Sequence, residues 1–220
     1  MSVKRIAVLV SGGGTNLQAL IDAQERGEII NGRIAAVIAS KEGAYALERA
    51  AKAGIPGYVV ARRDYPSNQA MTAALVDKLQ SLDIDLVVLA GFMVILTGEM
   101  VRAYPNAILN VHPALIPSFC GEGYYGLHVH EKALEYGVKV SGATVHFVSE
   151  ECDGGPIVLQ KAVEVAENDT PETLQRRIME RAEWVILPRA VSLFCQGRLR
   201  VEGRTVRILK PLNLSKECLQ

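Results

Sequence analysis

The stretch VLVSGGGTNLQALI, residues 8–21, joins a short apolar run to an amphipathic segment through three consecutive glycines. The run before the glycines has the length and composition of a buried strand, and the segment after them has the periodicity of a helix. A strand, a tight turn and a helix form the first part of a βαβ unit. Residues 8–21 therefore predict an α/β fold that begins with a strand of a parallel sheet.

The same alternation continues through the first half of the chain. Strands are predicted at residues 5–10, 33–40, 57–60, 86–91 and 107–112, and helices near residues 16–27, 44–53, 67–82 and 97–104, with Ser67 as the N-cap of the third helix. The first four strands are continuous apolar runs, which is typical of parallel strands covered on both faces. The sequence therefore predicts a doubly wound α/β fold with a mostly parallel central sheet and a Rossmann-like mononucleotide-binding half.

After residue 112 the regular alternation of predicted strands and helices ends. A helix near residues 128–137 precedes two predicted strands, GATVHFVS (142–149) and PIVLQKAVEV (156–165), which are joined by the turn EECDGGP (150–156). This half of the sheet is expected to be more antiparallel. A long helical pattern then begins at its N-cap Thr170, and Pro188 is expected to kink or interrupt it. The last pattern, LRVEGRTVRIL (199–209), predicts a closing hairpin.

Composition restricts the class of partner. The 220 residues carry 24 Lys and Arg against 24 Asp and Glu, so the formal net charge is zero, which argues against nucleic acid or an anionic membrane as the main partner. Cys120, Cys152, Cys195 and Cys218 form no CxxC pair, and we expect free thiols and no metal. The N-terminus lacks the apolar stretch of a signal peptide, so we expect a cytoplasmic protein. The oligomeric state is left open, a homodimer included.

The glycine loop suggests an anion site. It lacks the lysine of a GxxxxGK[ST] phosphate loop, and Leu17 stands where a GxGxxG dinucleotide fingerprint needs its last glycine. The remaining interpretation is a single phosphate group held by the main-chain amides of Gly14, Thr15 and Asn16 at the start of a helix. A tight turn without a ligand is the alternative, but such a turn rarely needs three glycines.

A polar pair closes the fifth predicted strand. Asn110 and His112 are two residues apart, so both side chains point to one face of an extended strand, and Pro113 keeps His112 extended. An amide and an imidazole aimed at one point suit a carbonyl oxygen that becomes negative during nucleophilic attack. Asp153, in the turn 150–156, is a candidate partner for the imidazole, although its spacing along the chain does not show that it reaches His112. The alternatives are a buried structural histidine and an ordinary turn aspartate.

With these motifs in place, the chain resembles the phosphoribosylglycinamide formyltransferases, folate-dependent enzymes of purine biosynthesis. The resemblance rests on VLVSGGGTNLQALID, LVVLAGFMVIL, ILNVHPALIPSF, GATVHFVSEECDGGPIVLQ and RAEWVILP, which occur in the family's order up to about residue 200. It implies one formyltransferase domain over residues 1–200, with a phosphate-binding half (1–112) and a folate and catalytic half (113–200). Residues 201–220 are then a C-terminal tail hairpin.

The resemblance also implies the reaction and its residues. The amine of glycinamide ribonucleotide would attack the formyl carbon of the co-substrate 10-formyltetrahydrofolate directly, through a tetrahedral intermediate and without a metal. Asn110, His112 and Asp153 would be catalytic, with Asp153 raising the pKa of His112. The ribonucleotide would be bound by Gly14, Thr15, Asn16 and Glu183, with Glu183 at the ribose. The folate would be bound by Asn68, Met93, Val94, Ile95, Leu96 and Asn110.

Two features depart from the family pattern, and three further histidines have no assigned catalytic role. Relatives often carry arginines where this chain has Asn68 and Val94, so recognition of the folate's glutamate tail is in question. Residues 119–130 are longer than in many relatives, and Tyr124 and Tyr125 are expected to form a flap over the site. Among the other histidines, His128 and His130 are expected to face solvent, and His146 to support the site without being catalytic.

Three other functions compete with this one. A formyltetrahydrofolate hydrolase shares the Asn-x-His and DGGPI motifs, but it would not need a phosphate loop and usually has an additional N-terminal domain. An enzyme that formylates initiator tRNA would add a basic C-terminal domain, for which a balanced chain of this length has no room. A nucleotide-binding module without catalysis would not need the clustered Asn, His and Asp.

Overall fold

The computed structural model describes residues 2–210, which form nine strands and seven α-helices. The strands are β1 (Lys4–Val10), β2 (Gly32–Ala39), β3 (Gly57–Val59), β4 (Leu86–Leu89), β5 (Ile108–His112), β6 (Val140–Phe147), β7 (Ile157–Glu164), β8 (Leu199–Glu202) and β9 (Thr205–Ile208). The helices are α1 (Thr15–Glu25), α2 (Tyr45–Lys52), α3 (Asn68–Ser81), α4 (Gly98–Ala103), α5 (Leu127–Tyr136), α6 (Pro171–Ile178) and α7 (Trp184–Cys195).

All nine strands belong to one sheet, in the order β3-β2-β1-β4-β5-β6-β7-β9-β8. From β3 to β5 every pair is parallel, whereas β6 is antiparallel to both β5 and β7. The chain winds outward from β1 to β3, returns, and continues from β4 on the other side of β1. This confirms the predicted doubly wound, mostly parallel sheet with a more antiparallel second half. In such folds ligands bind where the winding direction reverses, here between the carboxyl ends of β1 and β4.

Two apolar cores cover the two faces of the sheet. Buried residues of α1, α2, α6 and α7 pack on one face, and buried residues of α3 and α4 pack on the other. In α3, Met71, Leu75 and Leu79 follow each other at four-residue spacing and are fully buried. The side chain of Ser67 accepts a hydrogen bond from the amide of Ala70 at 3.1 Å, as its predicted role of N-cap requires.

One strand departs from its predicted environment. The run 57–60 was expected to be covered on both faces, but Gly57 and Val59 in β3 are exposed. The reason is topological, because β3 lies at an edge of the sheet and pairs with β2 alone. No helix in the described part of the chain is long and apolar enough to cross a membrane.

The long helical pattern is interrupted, but not at Pro188. Thr170 caps α6 as predicted, and the break is a π-helical turn over Met179–Glu183 that separates α6 from α7. Pro188 lies inside α7. Because proline has no N–H, it cannot donate the hydrogen bond to the carbonyl of Trp184, the first residue of α7. The lost hydrogen bond is therefore in the turn before Pro188.

The predicted hairpin is present as β8 and β9. These strands pair with each other, and β9 continues the central sheet through one residue pair, Ile157 with Thr205. Because β8 already begins at Leu199, the separate tail at residues 201–220 stays a prediction. Its last residues, 211–220, lie outside the residues that the structure describes.

Candidate active site

Hydrogen bonds connect the segments that follow β1 and β4. The amide of Ser11 donates a hydrogen bond to the carbonyl of Gly91 at 3.1 Å, and the amide of Met93 donates to the hydroxyl of Ser11 at 2.8 Å. These bonds place the glycine loop after β1 beside the segment 91–96 after β4. The two segments that were predicted to bind different substrates therefore share one edge of the sheet.

Asn110, His112 and Asp153 converge at this edge. The amide nitrogen of Asn110 lies 3.4 Å from Oδ1 of Asp153, and Nδ1 of His112 lies 3.5 Å from Oδ2 of the same carboxylate. Asn110 and His112 end β5, and Asp153 lies in the turn between β6 and β7. We call these three residues the Asn-His-Asp cluster. Both contacts are longer than an ordinary N–H···O bond, so donor capacity remains for a substrate oxygen.

The DGG turn presents Asp153 through close backbone packing. Asp153 has a φ of 53°, in the left-handed region that is uncommon for residues other than glycine. A Cβ atom at Gly155 would lie 1.8 Å from the carbonyl oxygen of Phe147, so only glycine fits there. The amide of Gly121 completes the arrangement by donating to Oδ2 of Asp153 at 3.0 Å. The turn 150–156 is therefore pressed against the end of β6, and its carboxylate is directed at β5.

Burial and the charge of Asp153 act on the pKa of His112 in opposite directions. Burial lowers the pKa of His112, and although the charge of Asp153 raises it, the net direction is below the ordinary value. Asp153 therefore raises the pKa as expected, but burial outweighs this effect because the imidazole is almost completely buried. Nε2 of His112 lies 2.8 Å from the carbonyl oxygen of Phe119, so the loop after β5 covers this edge of the ring.

Asp153 remains ionised in the same surroundings. Burial would raise its pKa, but the hydrogen bond with His146, the neighbouring His112 and the amide of Gly121 together hold the pKa below its usual value. The ring of His146 is buried, and its Nε2 lies 3.4 Å from Asp153 and 3.2 Å from the amide nitrogen of Asn110. His146 therefore contacts two members of the cluster, and its supporting role stays a prediction.

The two helix histidines have opposite environments. His128 is exposed and lies 3.1 Å from Glu131, as its predicted solvent position requires. His130 was also expected to face solvent, which is wrong: it is fully buried, and neither ring nitrogen has a hydrogen-bond partner within residues 2–210. Burial, with a smaller effect from His112, lowers the pKa of His130 to about 4. The reason is that the inward face of α5 consists of Val129, His130 and Ala133.

Internal packing requires only one of the three loop glycines. Gly14 is the N-cap of α1 with a φ of 72°, and a Cβ atom there would lie 2.7 Å from the Cβ of Ala46. A Cβ atom at Gly12 or Gly13 would meet nothing within 4 Å. The first two glycines are thus not explained by contacts within the protein, which favours a ligand near the loop. Thr15 is exposed at the start of α1, with its hydroxyl 3.8 Å from the sulfur of Met179.

Asn16 and Glu183 form a buried pair between the glycine loop and the π-helical turn. The side-chain nitrogen of Asn16 donates to Oε2 of Glu183 at 2.6 Å, while Oδ1 of Asn16 has no partner within the described residues. Burial raises the pKa of Glu183 to about 7, against the hydrogen bond from Asn16, which lowers it. Glu183 is therefore no surface helix charge. The structure brings together two of the residues predicted to bind the ribonucleotide.

Arg49 of α2 is a neighbour of the loop that our sequence reasoning missed. Its Nε donates to the carbonyl of Gly13 at 2.8 Å, and its Nη1 donates to Oε1 of Gln18 at 3.0 Å. No carboxylate pairs with Arg49 within residues 2–210. The contact depends on how α2 packs on the loop, and no local spacing in the sequence signals it.

In the predicted folate segment, residues 93–96, only two of the four side chains are exposed. Met93 and Ile95 are exposed apolar side chains, whereas Val94 and Leu96 pack against the core formed by α3 and α4. Asn68, the first residue of α3, accepts a hydrogen bond from Arg62.

This fold, with its polar cluster at the sheet edge, is that of a known class of enzymes. The sequence pattern of the family described as "Formyl transferase" matches residues 4–191, and the chain belongs to this family. Within the family it is similar to the phosphoribosylglycinamide formyltransferase of Haemophilus influenzae, with 46% identity over 91% of each chain. The predicted resemblance is thereby confirmed.

Solved structures agree with this assignment. The crystal structure of glycinamide ribonucleotide transformylase 1 from Symbiobacterium toebii has a TM-score of 0.89 and 50% identity, over 94% of this chain and 95% of that one. A formyltetrahydrofolate deformylase from Pseudomonas syringae has a TM-score of 0.84 but 27% identity, and the match covers 66% of that chain. The trifunctional purine biosynthetic protein adenosine-3 of Bos taurus is 44% identical, and this chain spans 19% of it.

Proposed function

We propose that this protein transfers the formyl group of 10-formyltetrahydrofolate to the amine of glycinamide ribonucleotide in purine biosynthesis. The observation that carries the proposal is the convergence of Asn110, His112 and Asp153, with both contacts to the carboxylate within 3.5 Å, at the sheet edge that also holds the glycine loop. A carbonyl-polarising pair that shares one sheet edge with a phosphate-binding loop suits an amine nucleophile that carries a phosphate. The similarity to phosphoribosylglycinamide formyltransferases supports the same substrates.

The proposed chemistry is a direct transfer in which one proton moves. The amine attacks the formyl carbon, a C–N bond forms, and the tetrahedral oxyanion is stabilised by the Asn110 amide and His112. The bond from carbon to N10 of the folate then breaks. The amine loses one proton and N10 gains one, so an imidazole that is neutral at rest can accept the proton and deliver it. The lowered pKa of His112 is compatible with this role, because burial favours the neutral form.

The binding roles follow the geometry around this centre. The amides of Gly14, Thr15 and Asn16 begin α1 and are proposed to hold the phosphate, since a helix N-terminus attracts anions. Glu183, fixed by Asn16, is proposed to bind the ribose. Met93 and Ile95 offer exposed apolar surface to the folate. The absence of a metal, the halves 1–112 and 113–200, and the flap at Tyr124 and Tyr125 stay predictions.

The competing function is hydrolysis of 10-formyltetrahydrofolate, as in the deformylase of similar fold. The two are separated by following the release of tetrahydrofolate from 10-formyltetrahydrofolate with and without glycinamide ribonucleotide. We expect release only when the ribonucleotide is present, with an equal amount of formylated ribonucleotide formed. Release at the same rate in its absence would establish the hydrolase instead.

Replacement of Arg49 by alanine tests the phosphate cradle. The change removes a cation that braces the carbonyl of Gly13. A hydrogen bond to a charged group contributes about 1.5 kcal/mol or more, so we expect KM for the ribonucleotide to rise about tenfold, with KM for the folate unchanged. The matched control is Lys52→Ala, a cation on the same helix that also lies over the Tyr45 ring. Equal KM values for the ribonucleotide in both variants would place the phosphate elsewhere.

Glu183 should make stability depend on pH. The folded protein retains the proton of Glu183 up to about pH 7, whereas the unfolded chain loses it near the ordinary pKa of 4.5. The folded state thus binds more protons between these values, and the free energy of unfolding falls as pH rises, by about 3 kcal/mol at most. Glu183→Gln should remove this loss.

The measurement is urea unfolding at pH 5 and pH 8. Relative to the unchanged protein, the Glu183→Gln variant should be more stable at pH 8 than at pH 5. Glu180→Gln is the control, since Glu180 is exposed on the same π-helical turn. A stability difference for Glu183→Gln that is the same at both pH values would contradict the raised pKa.

A further inference from the structure

A cleft of about 420 Å³ runs along α7. Two rows of residues at four-residue spacing line it, one from Trp184 to Gln196 and the other from Val185 to Leu193, together with residues at the end of α1 and in β9. The helical rise from residue 184 to residue 196 is about 18 Å, so the cleft is elongated. We call it the α7 cleft. Among the described residues that line it, none belongs to the Asn-His-Asp cluster, the glycine loop or the predicted folate segment.

The α7 cleft contains apolar side chains that are partly open to solvent. Trp184, Pro188 and Leu193 contribute to its lining, and Val185 and Ile208 are exposed apolar side chains in the same cleft. Trp184 is the only tryptophan of the chain. Its indole nitrogen is buried and has no acceptor within residues 2–210, although such nitrogens usually have a partner. The cleft thus combines apolar surface with one unsatisfied donor.

Two of the three arginines that line the α7 cleft have no carboxylate partner. Arg26 pairs with Glu28 at 2.7 Å, so its charge is compensated. Nε of Arg198 donates to the carbonyl of Leu209 at 2.8 Å, which orients the guanidinium without neutralising it. Arg189 is exposed and forms neither an ion pair nor a hydrogen bond within residues 2–210. The cleft therefore has an excess of positive charge that the chain as a whole, with a formal net charge of zero, does not have.

The neutral polar side chains of the cleft are engaged within the protein. The hydroxyl of Ser192 accepts a hydrogen bond from the amide of Ile30 at 3.1 Å. The side-chain nitrogen of Gln196 donates to the hydroxyl and to the carbonyl of Ser192, at 3.0 Å in each case. The strongest groups left for a ligand are therefore the guanidinium groups of Arg189 and Arg198, and unpaired cations in a cleft attract anionic groups.

We propose that the α7 cleft binds an acidic segment of a partner protein, whose carboxylates pair with Arg189 and Arg198 and whose apolar side chains contact the lining. A length of about 18 Å fits about five extended residues, which favours a peptide segment over a compact small molecule. Tryptophan and arginine are also the side chains that contribute most to binding in protein interfaces. Nucleic acid suits the cleft less, because its binding depends on many phosphate contacts. This inference does not depend on the proposed function.

The probe is a random copolymer of glutamate and tyrosine, which combines carboxylates with apolar rings. Poly-L-glutamate and a DNA duplex are the comparison ligands, and all titrations use the full chain. Calorimetry measures Kd, and the selectively excited fluorescence of Trp184 shows whether binding occurs at the cleft. We expect Kd for the copolymer to be at least about tenfold lower than Kd for poly-L-glutamate, since only the copolymer can bury aromatic rings. Binding of the copolymer should weaken as salt concentration rises.

Two variants test the cations and the apolar lining separately. In the double variant Arg189→Ala and Arg198→Ala, we expect Kd for the copolymer to rise at least about tenfold, because both carboxylate contacts are lost. Ile208→Ser should raise Kd for the copolymer more than Kd for poly-L-glutamate.

The matched control is Arg204→Ala, an exposed arginine in the turn between β8 and β9 that is not among the residues lining the cleft. It should leave Kd for the copolymer unchanged, and thermal unfolding should show that all variants are folded. Absence of copolymer binding would overturn the inference, as would an unchanged Kd in the double variant or binding without a change in the fluorescence of Trp184.

The other possible occupants of the cleft would be seen in the same experiments. Tighter binding of the DNA duplex than of the copolymer would overturn the inference and assign the cleft to nucleic acid. Sedimentation equilibrium tests for a second copy of the chain. Self-association of the unchanged protein that is lost in the double variant would make that second copy the occupant instead.

Discussion

Asp153→Asn is expected to lower the turnover number by about 10²–10⁴-fold, the range for loss of a partner in acid–base catalysis. The substitution keeps the size of the side chain but removes the charge that faces Nδ1 of His112 at 3.5 Å. The imidazolium formed when His112 accepts the amine's proton would then have no counter-charge in a buried site. The measurement is single-turnover transfer with saturating ribonucleotide and folate, because this isolates the chemical step.

The pH profile distinguishes this role from a structural one. Asp153 raises the pKa of His112 against the effect of burial. Its removal should shift the limb of the profile that reports His112 to lower pH. Asp169→Asn is the control, since Asp169 is a carboxylate paired with Arg177 outside the site and should affect stability but not turnover. Full turnover by Asp153→Asn across neutral pH would exclude the proposed role.

His112→Ala is expected to have an effect of the same size, a loss of about 10²–10⁴-fold in turnover. The variant removes the group that carries the proton from the amine to N10 and one donor to the oxyanion. KM for the ribonucleotide should change little, because the phosphate and ribose contacts are made by other residues. Initial-rate kinetics with each substrate varied in turn provide both parameters.

Two further histidines make this experiment specific. His128→Ala removes an exposed imidazole and should leave turnover unchanged. His146→Ala removes a neighbour of both Asn110 and Asp153 and should cause a smaller loss than His112→Ala. If His146→Ala were the more damaging change and His112→Ala kept most of its turnover, the proton carrier would be His146.

The strands and helices of the first half could be predicted closely because each has a distinct local pattern. The predicted helix at 67–82 and the observed α3 (Asn68–Ser81) differ by one residue at each end, since Ser67 marks the start and the buried residues keep a four-residue spacing. The exposure of β3 could not be predicted this way. Its run of apolar residues is the same whether the strand is central or at an edge, and only the strand order decides which.

The candidate site was predictable where two functional residues share one strand. Asn110 and His112 face the same side because side chains alternate along β5. Asp153 was a candidate partner because of its turn, but its spacing along the chain did not show that it reaches His112, since the approach depends on the packing of the turn 150–156 against β6. Arg49 was missed for the same reason: it contacts the glycine loop from α2, and no periodicity links the two segments.

The π-helical turn at Met179–Glu183 adds one residue between the inward-facing residues of α6 and those of α7. Leu174, Ile178 and Ala182 lie on one inward line at four-residue spacing, and Glu183, Leu187 and Val191 lie on a second line one residue later. In an uninterrupted α-helix all the inward residues would lie on one line. The consecutive residues Ala182 and Glu183 could not then both lie on that line. The extra residue thus lets the chain add an inward carboxylate without giving up an apolar contact. Without the extra residue the two lines would coincide, Glu183 would take the inward position of Ala182, and the apolar contact of Ala182 would be lost.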